Sequence, residues 1–364
     1  MQVQALAVSV YRIPTDRPEA DGTIAWDATT LVLVEATATS GQCGLGFAYA
    51  AAAAATVIQQ TLAPLVIGLP IWETGRAWEA MVNAVRNLGR PGVAAGAIAA
   101  VDIALWDLKA HVLDCPLFRL LGAHRDRVPI YGSGGFTTYS KAELTAQLGG
   151  WVDQGIHRVK MKIGKGWGTA LAEDVERVRI ARQAIGPTAE LFVDANGGYT
   201  VKQAIRQAAH FAEYGVTYFE EPVSADQVEQ LAFVRQQTPL AIAAGEYGYD
   251  PWYFRRMLRA DAVDILQADA TRCLGFTGWL MAADLAYSFD IPFSAHTAPS
   301  LHAHAGCAAP QLAHVEYFYD HVRIEQMLFA GVLPPVAGCL QPDPSRPGLG
   351  LILKRQDAEQ WRIG

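Results

Sequence analysis

The protein has 364 residues, of which 51% are hydrophobic and 18% charged, and its formal net charge is −7. This composition excludes a disordered chain, and an acidic balance with no basic run argues against a nucleic-acid-binding or anionic-membrane-binding protein. The apolar stretches are shorter than the roughly 18 residues of a membrane span. Five cysteines without a CxxC pair favour reduced thiols, and the N-terminus lacks signal-peptide features, so we expect a cytoplasmic protein.

The first 125 residues predict a small α+β domain. Three strands rich in Val, Leu and Thr are expected at residues 1–13, 30–38 and 43–49. Three helices follow, with apolar residues at helical spacing, at residues 51–67, 72–88 and 93–113. A run of strands followed by a run of helices is typical of α+β domains.

From Val128 onward, short apolar strands alternate with amphipathic helices. Eight strands are predicted, at residues 128–133, 158–163, 190–194, 216–220, 240–246, 263–269, 291–296 and 315–319. Such alternation specifies parallel βα units, and eight units predict a closed barrel rather than an open sheet. We therefore predict an α/β fold with a capping domain (residues 1–125), a modified TIM barrel (126–333) and a C-terminal segment (334–364). We expect the C-terminal segment to contain one more strand, residues 349–353, and to pack on the capping domain.

Three acidic residues end three successive predicted strands. Asp194, Glu220 and Glu246 are separated by 26 residues each (220 − 194 and 246 − 220), which is about one βα unit. Their carboxylates therefore converge at the barrel mouth, where they repel one another unless a cation lies between them. Oxygen ligands favour Mg²⁺ first and Mn²⁺ second over zinc. Each acid alone is as well explained by an ion pair or a helix cap, but the equal spacing of three favours a metal site.

Two lysines lie on one face of the strand before Asp194. Lys160 and Lys162 are two residues apart, so strand alternation points both the same way, toward the mouth. Their mutual repulsion is expected to lower the pKa of one of them, which makes a usable base. The alternative, two solvated lysines on an edge strand, is disfavoured because lysine is rare elsewhere in the chain.

A second acid/base group is predicted across the barrel. Asp269 and His296 end consecutive strands 27 residues apart (296 − 269), so the carboxylate can orient the imidazole and raise its basicity. Glu316 on the eighth strand can donate a hydrogen bond to a developing enediolate if it is protonated. His302 and His304 resemble a metal pair, but residues two apart on a helix face different directions, so we expect structural or partly exposed side chains.

The ordered set of these motifs resembles the enolase superfamily and, within it, the mandelate racemase subgroup. The motifs are Lys160-x-Lys162, Asp194-x-Asn196, Glu220-Glu221-Pro222, Glu246, Asp269-x-x-Arg272, His296 and Glu316. The resemblance covers nearly the whole chain. It implies a (β/α)7β form of the TIM barrel, with an α+β capping domain that the C-terminal tail completes. It also implies Mg²⁺ on Asp194, Glu220 and Glu246, and a substrate contact by Asn196.

The resemblance also implies the roles of the acid/base groups. Lys162 is the expected base on one face of the substrate, while Lys160 tunes it and helps to hold the substrate carboxylate. His296, oriented by Asp269, serves the opposite face, and Glu316 stabilises the enediolate.

The expected activity is a Mg²⁺-dependent removal of the proton alpha to a carboxylate, which gives a metal-stabilised enediolate. The main expectation is a lyase, specifically a hydro-lyase that dehydrates a sugar acid to a 2-keto-3-deoxy acid. The alternative is a racemase, epimerase or cycloisomerase of a 2-hydroxy or cyclic sugar acid. Epimerising and lactonising relatives use a second lysine on the sixth strand, and no lysine occurs between Lys202 and Lys354. A third reading, a metal-binding scaffold without activity, is disfavoured because all the chemical groups are present.

Substrate contacts outside the barrel are expected from two capping loops, residues 15–23 and 46–51. The first contains Arg17, a candidate partner for a distal substrate carboxylate, although a solvated charged loop is an equally good reading. The expected partner is a small-molecule carboxylate, with no nucleic acid and no membrane. The many Trp and Tyr side chains suggest a homo-oligomer.

Overall fold

The computed structural model of the protein describes residues 1–364. Its N-terminal part is an antiparallel sheet of β1 (Val3–Ala20), β2 (Ala25–Ala38) and β3 (Cys43–Tyr49), packed on helices. The helical segments are Ala53–Val57, the π-helical Ile58–Leu62, Ala63–Val66, Thr74–Ala84, Val93–Val112 and Leu117–Leu120. No helix of the protein combines the length and the apolar character needed to cross a lipid bilayer.

The sheet contacts the long helix Val93–Val112 at very short range. Gly44 and Gly46 of β3 lie directly against the backbone of this helix, where an added Cβ would overlap Leu108 and Ala104 respectively. The helix is rich in alanine and almost wholly buried, so small side chains on both elements allow this close approach.

Eight parallel strands form a closed barrel, as predicted. They are β4 (Val128–Gly134), β5 (Arg158–Lys162), β6 (Glu190–Asp194), β7 (Val216–Glu220), β8 (Ala241–Ala244), β9 (Ile265–Ala268), β10 (Phe293–Ala295) and β11 (Leu312–Phe318). β11 pairs back with β4, which closes the barrel. The longer helices outside it are Lys141–Asp153, Leu171–Ile185, Val201–Glu213, Val228–Gln236, Pro251–Arg259, Gly275–Ser288, Pro299–Ala308 and Tyr319–Leu328, and a short helix, Lys165–Gly168, follows β5.

Side-chain caps begin two of the barrel helices. Thr200 forms a capping box with Gln203, and the helix that follows ends at Glu213. Asp250 accepts a hydrogen bond from the backbone N–H of Tyr253, and Pro251 occupies the first turn.

Aromatic side chains fill the barrel below the catalytic end. Tyr131, Phe192 and Tyr218 form a buried cluster, and the Phe192 and Tyr218 rings stack with centroids 4.5 Å apart. His314 packs edge-on to Tyr131 at 4.8 Å. This layer lies beneath the polar groups of the mouth and contacts them through a tyrosine hydroxyl, since Tyr218 donates to Glu220 Oε2 at 3.1 Å.

The prediction of a loop at residues 15–23 is wrong for residues 15–20, which belong to a strand. β1 continues to Ala20 and β2 begins at Ala25, so these residues form a long hairpin with its turn at residues 21–24. Cross-strand pairing of Glu19 with Trp26 explains the extension, since the Trp26 indole donates to the Glu19 carboxylate at 2.8 Å. Glu19 and Trp26 are seven residues apart in the sequence, and neither strand alternation nor a tight-turn motif predicts their pairing.

The C-terminal segment makes contacts at three places. The strand predicted at residues 349–353 shortens to Ile352–Leu353 and pairs with Phe329–Ala330 rather than with the capping sheet. Cys339–Leu340 pairs antiparallel with β4 at the start of the barrel. The last residues reach β1, where the Val10 backbone both donates to Gly364 at 2.9 Å and accepts from Ile363 at 2.8 Å.

We predict that Gly46→Ala destabilises the protein by about 3 kcal/mol, because the added methyl group overlaps the helix backbone and must displace it. The measurement is urea unfolding followed by circular dichroism. Gly75→Ala is the matched control: Gly75 lies in a helix with open space around its Cβ position, so its stability should be equal or slightly greater. A urea midpoint of unfolding for Gly46→Ala equal to that of the wild type would contradict the close packing of β3 on the helix.

Candidate active site

A cavity of about 420 Å³ lies between the barrel mouth and the β1–β2 hairpin. The barrel mouth is the set of residues at the C-terminal ends of β4–β11. The barrel side of the cavity includes Lys162, Asn196, Glu246, Arg272, His296 and Glu316. The capping side includes Asp21, Trp26, Thr29 and Tyr49.

The three predicted metal ligands come together at the mouth. Candidate ligand atoms of Asp194, Glu220 and Glu246 all lie within 4.8 Å of one another, and all three side chains are buried. Asp194 and Glu220 are register partners on β6 and β7, while Glu246 follows the end of β8 by two residues. The three acidic residues, equally spaced along the chain, therefore lie close together in the structure.

The carboxylate cluster fits a hard divalent cation. The Oε1 atom of Glu220 is buried without a hydrogen-bond partner, and so is Oε1 of the adjacent Glu221. Burial, and after it the charges of Asp194 and Glu316, raise the pKa of Glu220 to about 8 despite the attraction of Lys160. Buried carboxylate oxygens that lack a donor are ligands suited to Mg²⁺.

Lys160 is fully buried beneath the cluster as a fixed cation. Its Nζ lies 2.7 Å from Glu220 Oε2, 2.8 Å from Glu316 Oε1 and 3.6 Å from Asp194 Oδ2. Burial disfavours the ammonium, but the three carboxylates outweigh it and hold the Lys160 pKa well above its usual value. Lys160 therefore binds these carboxylates together and is not itself available as a base.

Lys162 faces the cavity but differs from the expectation in its charge state. Its Nζ lies 2.5 Å from Asp194 Oδ2. Burial disfavours its ammonium and Lys160 repels it, yet the combined attraction of Asp194, Glu246 and Glu316 outweighs both effects, and the Lys162 pKa is raised rather than lowered. Lysine–lysine repulsion alone would lower the pKa, but the Asp194 carboxylate on the neighbouring strand contributes to the opposite shift.

Asp269 and His296 form the expected pair. His296 Nδ1 lies 2.8 Å from Asp269 Oδ2, and the other oxygen of Asp269 accepts from the Thr271 backbone at 2.7 Å. Burial opposes a charged imidazole, but Glu246 and then Asp269 favour it and raise the His296 pKa to about 9. Because His296 and Lys162 follow β10 and β5, three strands apart around the barrel, they approach the cavity from different sides.

Glu316 is surrounded by donors. Its carboxylate accepts from the Ser133 hydroxyl at 2.5 Å and from the Thr297 backbone at 3.0 Å, and Lys160 contacts it as described above. Burial opposes the anion, but Lys160, His296 and Lys162 lower the Glu316 pKa to about 2. These surroundings favour the ionised side chain, whereas the sequence-based expectation required a protonated one.

The three predicted substrate contacts have different fates. Lys160 is fully buried and does not line the cavity. Asn196 lines the cavity in a left-handed conformation (φ 45°), its backbone N–H donates to Asp194 Oδ1 at 2.9 Å, and its Oδ1 is buried without a partner. Arg17 does not line the cavity. Its guanidinium lies over the Tyr139 ring and 3.8 Å from Glu143, outside the cavity.

Several residues at the site were not identified from the sequence. Ser133 lies near the C-terminal end of β4, so the strand-end rule of the predicted ligands could have found it, whereas Arg272 was named in the Asp269-x-x-Arg272 motif without a role. Tyr49 and His321 stack with ring centroids 3.4 Å apart at the cavity wall, but they are 272 residues apart and form no motif (321 − 49). His302 is fully buried and accepts from the Ala270 backbone, so its structural role is confirmed and partial exposure is not.

The hairpin turn is fastened across the mouth. The Gly22 carbonyl accepts from the Trp167 backbone at 2.9 Å, and the Thr137 hydroxyl donates to the Asp21 carbonyl at 2.7 Å. A Cβ at Gly22 would lie 2.6 Å from the Ile163 carbonyl oxygen, so only glycine fits there. The capping sheet thereby closes the cavity above the catalytic groups.

A parallel barrel with carboxylates on its third, fourth and fifth strands, between a lysine and a histidine, defines an acid/base barrel built around a metal site. Residues 143–358 match the family described as enolase C-terminal domain-like. Residues 7–122 match the mandelate racemase / muconate lactonizing enzyme N-terminal domain. The protein therefore belongs to the mandelate racemase/muconate lactonizing enzyme family of the enolase superfamily.

Three relatives illustrate the similarity. The chain is 31% identical over 367 residues to a 3,6-anhydro-alpha-L-galactonate cycloisomerase from Streptomyces coelicolor, with 100% of both chains covered. A mandelate racemase/muconate lactonizing enzyme-like protein from Rubrobacter xylanophilus has a solved structure with TM-score 0.96, 49% identity and 100% of both chains covered. A mutant L-talarate/galactarate dehydratase from Salmonella typhimurium LT2, liganded with Mg and L-glucarate, has TM-score 0.92 and 27% identity, covering 100% of this chain and 92% of that one.

We predict that Gly22→Ala loosens the hairpin, because the added Cβ pushes the turn away from the Ile163 carbonyl. A loss of about 1–3 kcal/mol in docking raises amide hydrogen exchange in residues 15–28 by at least about fivefold. Gly150→Ala, at a helix position with open space, is the control and should exchange like the wild type. Unchanged exchange in Gly22→Ala would show that the turn is not held by this contact.

Proposed function

We propose that the protein is a Mg²⁺-dependent dehydratase that converts a sugar acid to a 2-keto-3-deoxy acid, with Mn²⁺ as a possible substitute ion. The observation that carries the proposal is the placement of Lys162 and His296 at one cavity, on either side of the three-carboxylate cluster. The dehydratase and cycloisomerase names of the relatives support the same chemistry.

Asp194, Glu220 and Glu246 are the residues that would hold the metal. Bound there, Mg²⁺ would supply positive charge to the substrate carboxylate and to the negative charge that develops when the alpha proton leaves. Lys160 keeps Glu220 and Glu316 in place from below, so the carboxylates stay close despite their repulsion. Glu316, as an anion, orients Lys160 and favours the protonated form of His296.

Lys162 acts as the base. In the structure Asp194 holds it as an ammonium; a divalent cation held by Asp194 would weaken that attraction, while Lys160 repels the ammonium charge. Neutral Lys162 then takes the proton from the alpha carbon. His296, held as an imidazolium by Asp269 and Glu246, gives its proton to the beta hydroxyl as the carbon–oxygen bond breaks. Water leaves, and the enol product tautomerises to the 2-keto acid.

Cycloisomerisation is the second candidate, favoured by the full-length match to a cycloisomerase of the same chain length. The same two groups serve this reaction, but the beta oxygen belongs to a ring and stays in the product. The two reactions differ in the mass of the product. Dehydration lowers the mass of the substrate by about 18 Da, the mass of one water, whereas ring opening leaves it unchanged. A keto-acid assay over aldonates, aldarates and cyclic sugar acids with Mg²⁺ in D₂O, read by mass spectrometry, detects both reactions. No product and no deuterium uptake from any of these compounds would reject both.

We also propose the division into a capping domain (1–125), a barrel (126–333) and a C-terminal segment (334–364). A cytoplasmic location is supported by five cysteines without a disulfide. A homo-oligomer is supported by large exposed apolar side chains, among them Trp167, Phe233 and Tyr287.

We predict that Glu246→Gln weakens Mg²⁺ binding at least about tenfold, because it replaces an anionic ligand by a neutral amide. Isothermal titration calorimetry should find one Mg²⁺ site in the wild type. Glu190→Gln is the control, since Glu190 lies at the far end of the strand that carries Asp194 and pairs with Arg158 on the surface. Equal Mg²⁺ affinity in Glu246→Gln and the wild type is incompatible with the assigned ligands.

We predict that Lys162→Ala and His296→Asn each reduce net turnover by at least about 1000-fold, because each removes one of two required proton carriers. His296→Asn should still exchange the alpha proton of the substrate with D₂O, since Lys162 remains, whereas Lys162→Ala should not. Lys165→Ala, which removes an exposed lysine of the same strand-end loop, should keep wild-type turnover. Retention of full activity by both catalytic variants would overturn the assignment.

A further inference from the structure

The cationic groups of the cavity all lie on its barrel side, and each already has an anionic partner. Lys162 contacts Asp194. Arg272 lies 3.2 Å from Glu246 Oε1 and 3.6 Å from Asp269 Oδ2, and His296 contacts the same two acids. The barrel side of the cavity can therefore hold one substrate carboxylate next to the acid/base groups.

The capping side of the cavity carries no cation. Its lining residues include Trp26, Ala28, Thr29, Tyr49 and Ala51, none of them charged. The one charged group on this side is Asp21, whose Oδ1 accepts from the Ile24 backbone at 2.8 Å and which forms no ion pair. Arg17, the nearest arginine in the hairpin sequence, lies outside the cavity beside Glu143.

The polar groups that remain near this side are neutral hydrogen-bonding groups. His321 Nδ1 accepts from the Ala298 backbone at 3.3 Å, so the ring proton is on Nε2 and the imidazole is an uncharged donor. The Tyr49 ring stacks on His321, and the Thr29 hydroxyl donates to Asp320 at 2.5 Å. Hydroxyl groups and ring oxygens of a sugar match such a wall, because they need hydrogen bonds but no counter-charge.

We propose that the substrate carries a single carboxylate, as in an aldonate or a cyclic sugar acid, and that the cavity rejects sugar acids with a second carboxylate at the distal end. The proposal rests on the proposed function, since it places the first carboxylate at the metal cluster. A distal carboxylate would lose water on entering the cavity, meet no cation and lie on the side of Asp21. A distal hydroxyl meets none of these penalties.

The test compares each six-carbon aldonate with the aldarate that differs from it only at the distal carbon. Turnover is measured as kcat/KM in Mg²⁺, and binding of the same compounds by calorimetry with the Mg²⁺-loaded protein. We expect at least a 100-fold preference, on the order that an unpaired buried charge produces, for the monocarboxylates that are accepted. Binding is measured separately, so monoacid binding without turnover supports this inference while rejecting the proposed function.

Two variants test the cause of the preference. Ala28→Arg adds a cation on the capping side and should raise kcat/KM for aldarates relative to aldonates at least tenfold, whereas Ala28→Met adds bulk without charge and should keep the wild-type ratio. Asp21→Asn keeps the side-chain oxygen that accepts from the Ile24 backbone but removes the negative charge. Like Ala28→Arg, it should reduce the preference for aldonates over aldarates. Aldarates bound or converted by the wild type as well as aldonates would overturn the inference, as would the absence of binding by every monocarboxylate.

Discussion

The buried charge balance at the barrel mouth is the constraint on which the rest of the structure depends. Two lysines and four carboxylates, those of Asp194, Glu220, Glu246 and Glu316, lie together above a buried aromatic layer with almost no exposure to water. Such a cluster is stable only if each anion has a cation or a donor nearby. Lys160 satisfies part of this need from below, and the unpartnered oxygen of Glu220 marks where a further cation belongs. The same charges hold His296 protonated and determine when Lys162 can act.

The fold brings these charges together through its repeat. Each βα unit has nearly the same length, so residues at the ends of successive strands meet at one end of the barrel. This is why the sequence alone predicted Asp194, Glu220 and Glu246 as neighbours, and Asp269 beside His296. Strand lengths were less predictable: β8, β9 and β10 end before Glu246, Asp269 and His296, which therefore lie on the loops that line the cavity.

Features that depend on contacts between distant segments were not predictable. The charge state of Lys162 follows in part from an Asp194 oxygen on the next strand, and that of Glu316 from three cations on other strands. The hairpin extends because Trp26 bonds Glu19, and its Arg17 lies outside the cavity. Local sequence patterns carry hydrophobic periodicity and turn chemistry, but not the distances that decide a pKa or the direction of a side chain at a bulged strand. The barrel repeat brings the carboxylates and the two proton carriers together, and the capping hairpin forms the opposite wall of the cavity.

The central claim is that one divalent cation joins Asp194, Glu220 and Glu246 between the two proton carriers. Its most direct test is the anomalous difference map of crystals grown with Mn²⁺, which can replace Mg²⁺ at oxygen sites. We expect a single strong peak at the mouth, with an oxygen of each of the three carboxylates at about 2.1 Å from it. No peak there, with Asp194 still bound to Lys162 and the three carboxylates without a shared ion, would contradict it.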